Sequence, residues 1–599
     1  VSLEQSLEWN LENLFSDKDQ DEDFFNHLKE ISNDLIKLEF ALNNQDMSSC
    51  LSYWQIISAS LRQGFSYIAC LGVEEKSHPY LLEFQQKLIE LQKKYGILNL
   101  KFDSFWGMLP EKKFNQWIDL QEIRALAQVL KVRRKHYHDR LELKQNDTRL
   151  LLSQEIFSPL AEQYQSMIHR MRFKGLEGDS IDMIQAVQLI KTSEPVLRQK
   201  IFKIYEEQFK MNSSFFCDLI NQMFGCRLEL AKSKKNGSPL AESLEIQKLN
   251  LSSINCMWEV VNDRKACLIL FFSKKAALFK HKKPTWTDLW ANLIQKNRTP
   301  LRINDASNWM QAALSRLDSE VGQFAKKLVT SGCVSSHSLN AIGVSSCTLP
   351  LPLKKTVRIF LGYQDGIDRL TDYTRQMASA WRYHILFDQP EILQQCPTVV
   401  CEALSSFCER LVLEVVKERS FTRQQQFDAL FSHMQRAAIN VLDMQTRFEF
   451  ESQLFKERTE GCISETKLCQ LMIDSQQNAY ANQLEEYFPY YWASREQFFT
   501  SQAASFQNYN YTAGFLLGLG LYQHYCDHPA DFYVKIKAWI KACCGSQNVE
   551  EPLAHYFGVH LGQDKIWRDA LALLEEDVRL ISNLIDIKDK TFSLEMRSD

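Results

Sequence analysis

The chain has 599 residues, enough by length for about four domain-sized units and for a substantial buried interior. Its 70 basic and 74 acidic residues give a net charge of −4, so no basic excess calls for nucleic acid or an anionic membrane as partner. Only 20 glycines and 14 prolines punctuate it, which favours long helices over many short strands.

The opening VSLEQSLEW lacks a basic n-region and an apolar h-region, so no signal peptide is expected. Residues 1–45 read as helix, with ISNDLIKLEFAL (31–42) carrying apolar residues at helical spacing. Residues 48–98 read as a helical hairpin broken near Ser77–His78–Pro79. Residues 119–145 are charged and helical, and RRKHYHDRLEL (133–143) alternates charge along a solvated face. Residues 176–232 read as consecutive helices, with N-cap chemistry at Ser180–Ile181–Asp182 and at Thr192–Ser193–Glu194, before Pro195.

Residues 325–371 differ, being rich in Ser, Gly and β-branched residues. TVRIFLGY (356–363) is the strongest strand in the chain, and helix is expected to resume after it. The longest apolar stretches, 266–272 and 514–522, fall far short of a membrane span. The 16 cysteines are scattered without a CxxC, and several (Cys70, Cys267, Cys408) sit among apolar neighbours. That usage points to reduced thiols and a cytoplasmic location.

Several segments in fixed order resemble the oligoendopeptidase F branch of the thimet-oligopeptidase family of zincins. They are LEWNLENLF (7–15), PTWTDLWANL (284–293), FLGYQDGIDRLTDYTRQMASAW (360–381), VVCEALSSFCERLVLE (399–414), RFEFESQLFKERTEG (447–461), WASREQFFTSQAASFQNYNYTAGFLLG (492–518) and the closing stretch 520–559. The resemblance implies a mainly α, two-lobed zincin-like fold with a deep channel and a small β-sheet near the active-site helix. It further implies an N-terminal helical lobe over 1–195 and a catalytic-type domain over 196–599, whose active-site helix lies near 367–386. Short peptides are the substrates it implies.

Such peptidases carry His-Glu-x-x-His on one helix. Residues four apart share a helix face, so both imidazoles reach one zinc, and the Glu serves as general base. Carried onto this chain, the motif falls on Arg375-Gln376-Met377-Ala378-Ser379. Arg375 is a permanent cation without a lone pair to give, Gln376 cannot accept a proton, and Ser379 is a poor neutral ligand. The third-ligand position falls on Glu402, which is retained, and Glu409 lies two turns further along the same face.

The expectation is a pseudopeptidase with no bound metal, in which Arg375 takes over the charge of the lost zinc and pairs with Glu402, directly or through one water. The competing readings are an Arg375 directed elsewhere and a Glu402 that is a surface glutamate. On the channel wall, the resemblance assigns substrate contacts to Gln497, where active relatives have a His, and to Tyr509 and Tyr511, in a segment read as irregular or strand-like. Either tyrosine can equally be a core aromatic. His524 and His528 have ligand spacing but sit before Pro529 at a helix end, and no metal role is assigned to them. Two further functional readings stay open at this point. One is an active zinc oligoendopeptidase using other ligands, and the other is a non-catalytic assembly partner for another protein.

Overall fold

The computed structural model describes residues 9, 11, 14–15, 20–74, 78–121, 123–142, 148–174, 180–232, 237–292, 301–337, 346–362, 366–419, 422–501 and 505–595. Two compact units emerge, each built from three separate stretches of chain. The first holds residues 1–142, 299–425 and 521–560, and the second holds 143–298, 426–520 and 561–599.

In the first unit, α1 (Gln20–Asn43), α2 (Met47–Glu74) and α3 (Leu81–Met108) pack on one another. On α1, Phe24, Leu28, Ile31, Leu35, Leu38 and Leu42 repeat at helical spacing and are all buried, while Asp21, Glu22 and Asp23 suit the positive end of the helix. Trp54 of α2 stacks on Phe102 of α3 at 4.4 Å and donates its indole N–H to Asn99. The break expected near Pro79 separates α2 from α3. Within the described residues, helix in the first 45 positions is confined to α1, and residues 44–46 form the turn that leads into α2. Met47–Glu74 is long and apolar enough to cross a membrane by composition, which the short apolar runs did not suggest. However, 67% of that window is buried, as befits a core helix.

A three-stranded sheet joins this core. Its strands are β1 (Val334–His337), β2 (Cys347–Leu351) and β3 (Thr356–Gly362), with β3 central, parallel to β1 and antiparallel to β2. The central strand is buried on both faces from Val357 to Gly362, so its sequence runs nearly continuously apolar. Leu351 and Phe360 extend the apolar core of α1–α3. Beyond the strands come α4 (Asp368–Leu386), which packs against β2 and β3, and α5 (Thr398–Arg419), which packs against α4. Leu370, Tyr373, Met377, Trp381 and Ile385 form the buried stripe of α4, leaving Arg375, Gln376 and Ser379 on a partly exposed face.

The second unit is also chiefly helical. Pro195 occupies the first turn of helix Pro195–Met211, although Glu194 makes no capping hydrogen bond through its side chain. Asp182 forms a capping box with Gln185 at the start of helix Met183–Thr192. The reading of 176–232 as helices alone needs correction. Ser180–Ile181 is a short strand paired antiparallel with Phe173–Lys174, an element too brief to leave a periodic signal. In PTWTDLW, Thr285 caps the helix Trp286–Trp290 reciprocally with Asp288, whose buried carboxylate also meets Arg198 at 3.0 Å and His281 at 2.7 Å. A π-helical turn, Ile439–Asp443, sets Asp443 against Arg447 and the Tyr491 hydroxyl.

Candidate functional site: an arginine held by two carboxylates

Arg375 projects from α4 toward α5. Its Nη2 donates to both oxygens of Glu402, at 2.8 and 2.7 Å, and its Nη1 donates to Glu409 at 3.0 Å. Glu402 and Glu409 are seven residues apart, two turns along α5, so both carboxylates face the same neighbour. The side chains are 20%, 12% and 4% exposed respectively, so the cluster is largely withdrawn from water. Burial alone would make the guanidinium easier to deprotonate. The Glu409 and Glu402 carboxylates outweigh that and hold Arg375 more firmly protonated than usual. The expected Arg375–Glu402 pair is therefore present and direct, and Glu409 is a second partner.

The neighbouring positions are also committed. Gln376 donates to the Ser346 carbonyl at 3.3 Å and receives the Thr348 hydroxyl at 2.9 Å, which ties it to the start of β2. Ser379 accepts a hydrogen bond from Arg382 at 3.3 Å. At the positions where the resemblance places a metal, the donor set is thus a guanidinium, a hydroxyl engaged by a second guanidinium, and one carboxylate already paired. These residues do not fit a zinc ion, whose ligands are thiolate, imidazole or free carboxylate. Among the described residues, no group of three or more His, Cys, Asp or Glu converges to hold a metal. His524 and His528 lie at the end of helix Tyr509–Asp527, with ring centres 4.9 Å apart. His384 faces a small cavity of about 180 Å³ and stacks on Phe324.

In the second unit, the segment carrying Tyr509 and Tyr511 is neither irregular nor a strand, which corrects the sequence reading. Both residues start the helix Tyr509–Asp527, where positions two apart point to different sides. Tyr509 is wholly buried, its hydroxyl 3.2 Å from Ser243 Oγ, and burial pushes its phenol well above the usual range. Tyr511 is 38% exposed. Gln497 donates to Asn508 at 2.9 Å, and the Asn508 amide approaches Glu451 at 3.5 Å. Glu451 also accepts the Phe506 backbone N–H at 2.8 Å. Burial raises its carboxyl to about 7, against the opposing pull of that N–H and of Arg227. Sequence reading missed Glu451 because RFEFESQLF shows only a glutamate inside a helix, with no sign of its partners some 55 residues on.

No family model and no curated protein sequence matches the chain. Solved structures do. A candidate peptidase from Chlamydophila abortus superposes with a TM-score of 0.78 at 16% identity, covering 96% of this chain and 98% of that one. Oligoendopeptidase-F from Enterococcus faecium gives 0.67 at 15% identity, covering 94% and 99%. PZ peptidase A gives 0.70 at 10% identity, covering 93% and 97%. Identities this low establish the fold alone, and the fold agrees with the architecture described above. The chain has the mainly α-helical, zincin-type fold of the oligoendopeptidase F structures.

Proposed function

We propose that the chain is an oligoendopeptidase F-like pseudopeptidase, which binds short peptides and does not hydrolyse them by a zinc mechanism. The observation that carries this reading is the clamp of Arg375 between Glu402 and Glu409. A divalent ion about 4 Å from that guanidinium would meet a repulsion of roughly 8 kcal/mol at an effective dielectric of 20. It would also have to take Glu402 from a partner that already neutralises it. Gln376, at the general-base position, cannot accept a proton, and its amide is engaged by the Ser346 carbonyl and the Thr348 hydroxyl at the start of β2.

The peptide-binding half of the proposal draws on the fold shared with peptidases. Tyr511 and Gln497 are its candidate contacts, and Tyr509 supports them from the core. A cytoplasmic setting suits the cysteine usage, read as reduced thiols. The test uses the purified full chain with a pool of internally quenched peptides, with and without added zinc. Saturable binding without chelator-sensitive cleavage is the expected result. Chelator-sensitive cleavage by a chain that holds stoichiometric metal would establish an active peptidase instead. No binding to any peptide would leave a partner-assembly role as the better reading.

A further inference from the structure

A thiol cluster lies at the start of α5. The Val400 and Cys401 backbone N–H groups both bond to the Pro397 carbonyl, at 3.0 and 3.1 Å, which makes Pro397 the N-cap. Cys396 then occupies the position before the cap and Cys401 the fourth helical position. Side chains at these two positions meet in the staple arrangement that fixes how a chain enters a helix. Here both are cysteine. Cys401 Sγ points back to the Cys396 carbonyl at 3.7 Å, and the Cys396 thiol is near enough to act on the protonation of Cys401. Cys544, on the helix Phe532–Gly545, also lies near Cys396, and its own thiol bonds to the Ile540 carbonyl within its helix at 3.3 Å. The Arg382 guanidinium faces Cys401 and Cys396. Both Cys396 and Cys401 are partly exposed, unlike the buried Cys408 one helix turn or more beyond.

We infer that Cys396 and Cys401 form a thiol–disulfide exchange site that closes reversibly at the first turn of α5, directly beside Glu402. The co-reactant is a small or protein disulfide. One cysteine, as thiolate, attacks a sulfur of that disulfide to give a mixed disulfide and release the first thiol. The second cysteine then attacks the mixed disulfide, closes the Cys396–Cys401 bond and releases the second thiol. Two cysteine thiols are oxidised, one disulfide is reduced to two thiols, and the two protons end on the released thiols. The helix N-terminus and Arg382 favour the thiolate form at this place. The neighbouring Cys396 thiol and burial act the other way and hold the Cys401 thiol well above its usual range, and Cys396, lowered by Cys401 but raised more by Cys544 and burial, is held well above it too. Exchange is therefore slow at neutral pH and is best followed at mildly alkaline pH. Cys396 and Cys401 lie five positions apart at one helix start, with Cys401 Sγ already turned toward Cys396, whereas Cys544 belongs to a different helix and its thiol bonds within that helix.

The native full chain is exposed to oxidised glutathione at mildly alkaline pH, alkylated, and cut after glutamate. The fragment Ile392–Glu402 contains both cysteines and no others. It is expected to lose two hydrogens, take up no alkyl group, and recover both alkylation sites after reduction. Exposed Cys462 and Cys526 report that the oxidant reached the protein. Cys544→Ser should close the same bond, whereas Cys396→Ser should leave Cys401 open to alkylation or glutathione. The inference is overturned if the fragment carries two alkyl groups while Cys462 and Cys526 are modified, or if Cys396 is recovered crosslinked to Cys544.

Discussion

Replacing Arg375 by methionine keeps much of the side-chain volume and deletes the charge. In the native chain this guanidinium makes three charge-assisted hydrogen bonds, of 2.7, 2.8 and 3.0 Å, to two carboxylates that are 12% and 4% exposed. Removing one member of a buried ion pair costs about 3–5 kcal/mol, because the charge left behind has neither partner nor water. Arg375 retains some contact with solvent, so a value near 3 kcal/mol is expected. That energy corresponds to a roughly hundredfold rise in local opening. Hydrogen exchange read by mass spectrometry, on fragments from α4 and α5, measures it where it arises. Adding Glu402→Gln to Arg375→Met should recover about 1–2 kcal/mol, since the carboxylate that made two of the three lost bonds is then neutral. A change in protection below about threefold in α4 and α5 would refute the reasoning, as would a double variant that opens more readily than Arg375→Met alone.

Other outcomes follow from the same physics. Restoring the zinc motif with Arg375→His, Gln376→Glu and Ser379→His should free Glu402 and create zinc uptake of one ion per chain by atomic spectrometry. Unchanged zinc content in the folded triple variant would place any metal elsewhere. The Glu451 carboxyl, raised to about 7, binds its proton more tightly in the folded state than in the unfolded chain. Its contribution therefore favours folding increasingly as pH falls from above 7 toward the unfolded value near 4.5, by up to about 3 kcal/mol. Glu451→Gln should flatten the difference between urea midpoints at mildly acid and alkaline pH, and an unaltered difference would contradict the assignment. Gly520→Ala would put a methyl 2.7 Å from the Ile566 carbonyl oxygen and should cost about 2–3 kcal/mol in a urea titration. Gly96→Ala meets nothing within 4 Å on α3 and should stabilise the chain by about 0.5–1 kcal/mol.

The features legible in the sequence were those with local causes. Apolar residues at helical spacing located α1 and the hairpin of α2 and α3, and β-branched content located β3. The pairing of Arg375 with Glu402 could be anticipated because a cation stood where a cation's charge was missing. Glu409 shares the Glu402 face by helical spacing alone, yet its bond to Arg375 depends on how α4 and α5 pack, which no local pattern records. Tyr509 and Tyr511 were misread as extended because Tyr and Asn disfavour helix interiors, whereas here they occupy a first turn held by tertiary packing. The link from Gln497 through Asn508 to Glu451 joins residues up to 57 positions apart, beyond any motif.

The most direct measurement is the metal content of the native full chain after dialysis against buffered zinc, read beside an Arg375→Met, Glu402→Gln control. Zinc well below one ion per chain, and no higher than in the control, is what a guanidinium seated between Glu402 and Glu409 requires. One zinc per chain, lost when Glu402 is altered, would contradict it.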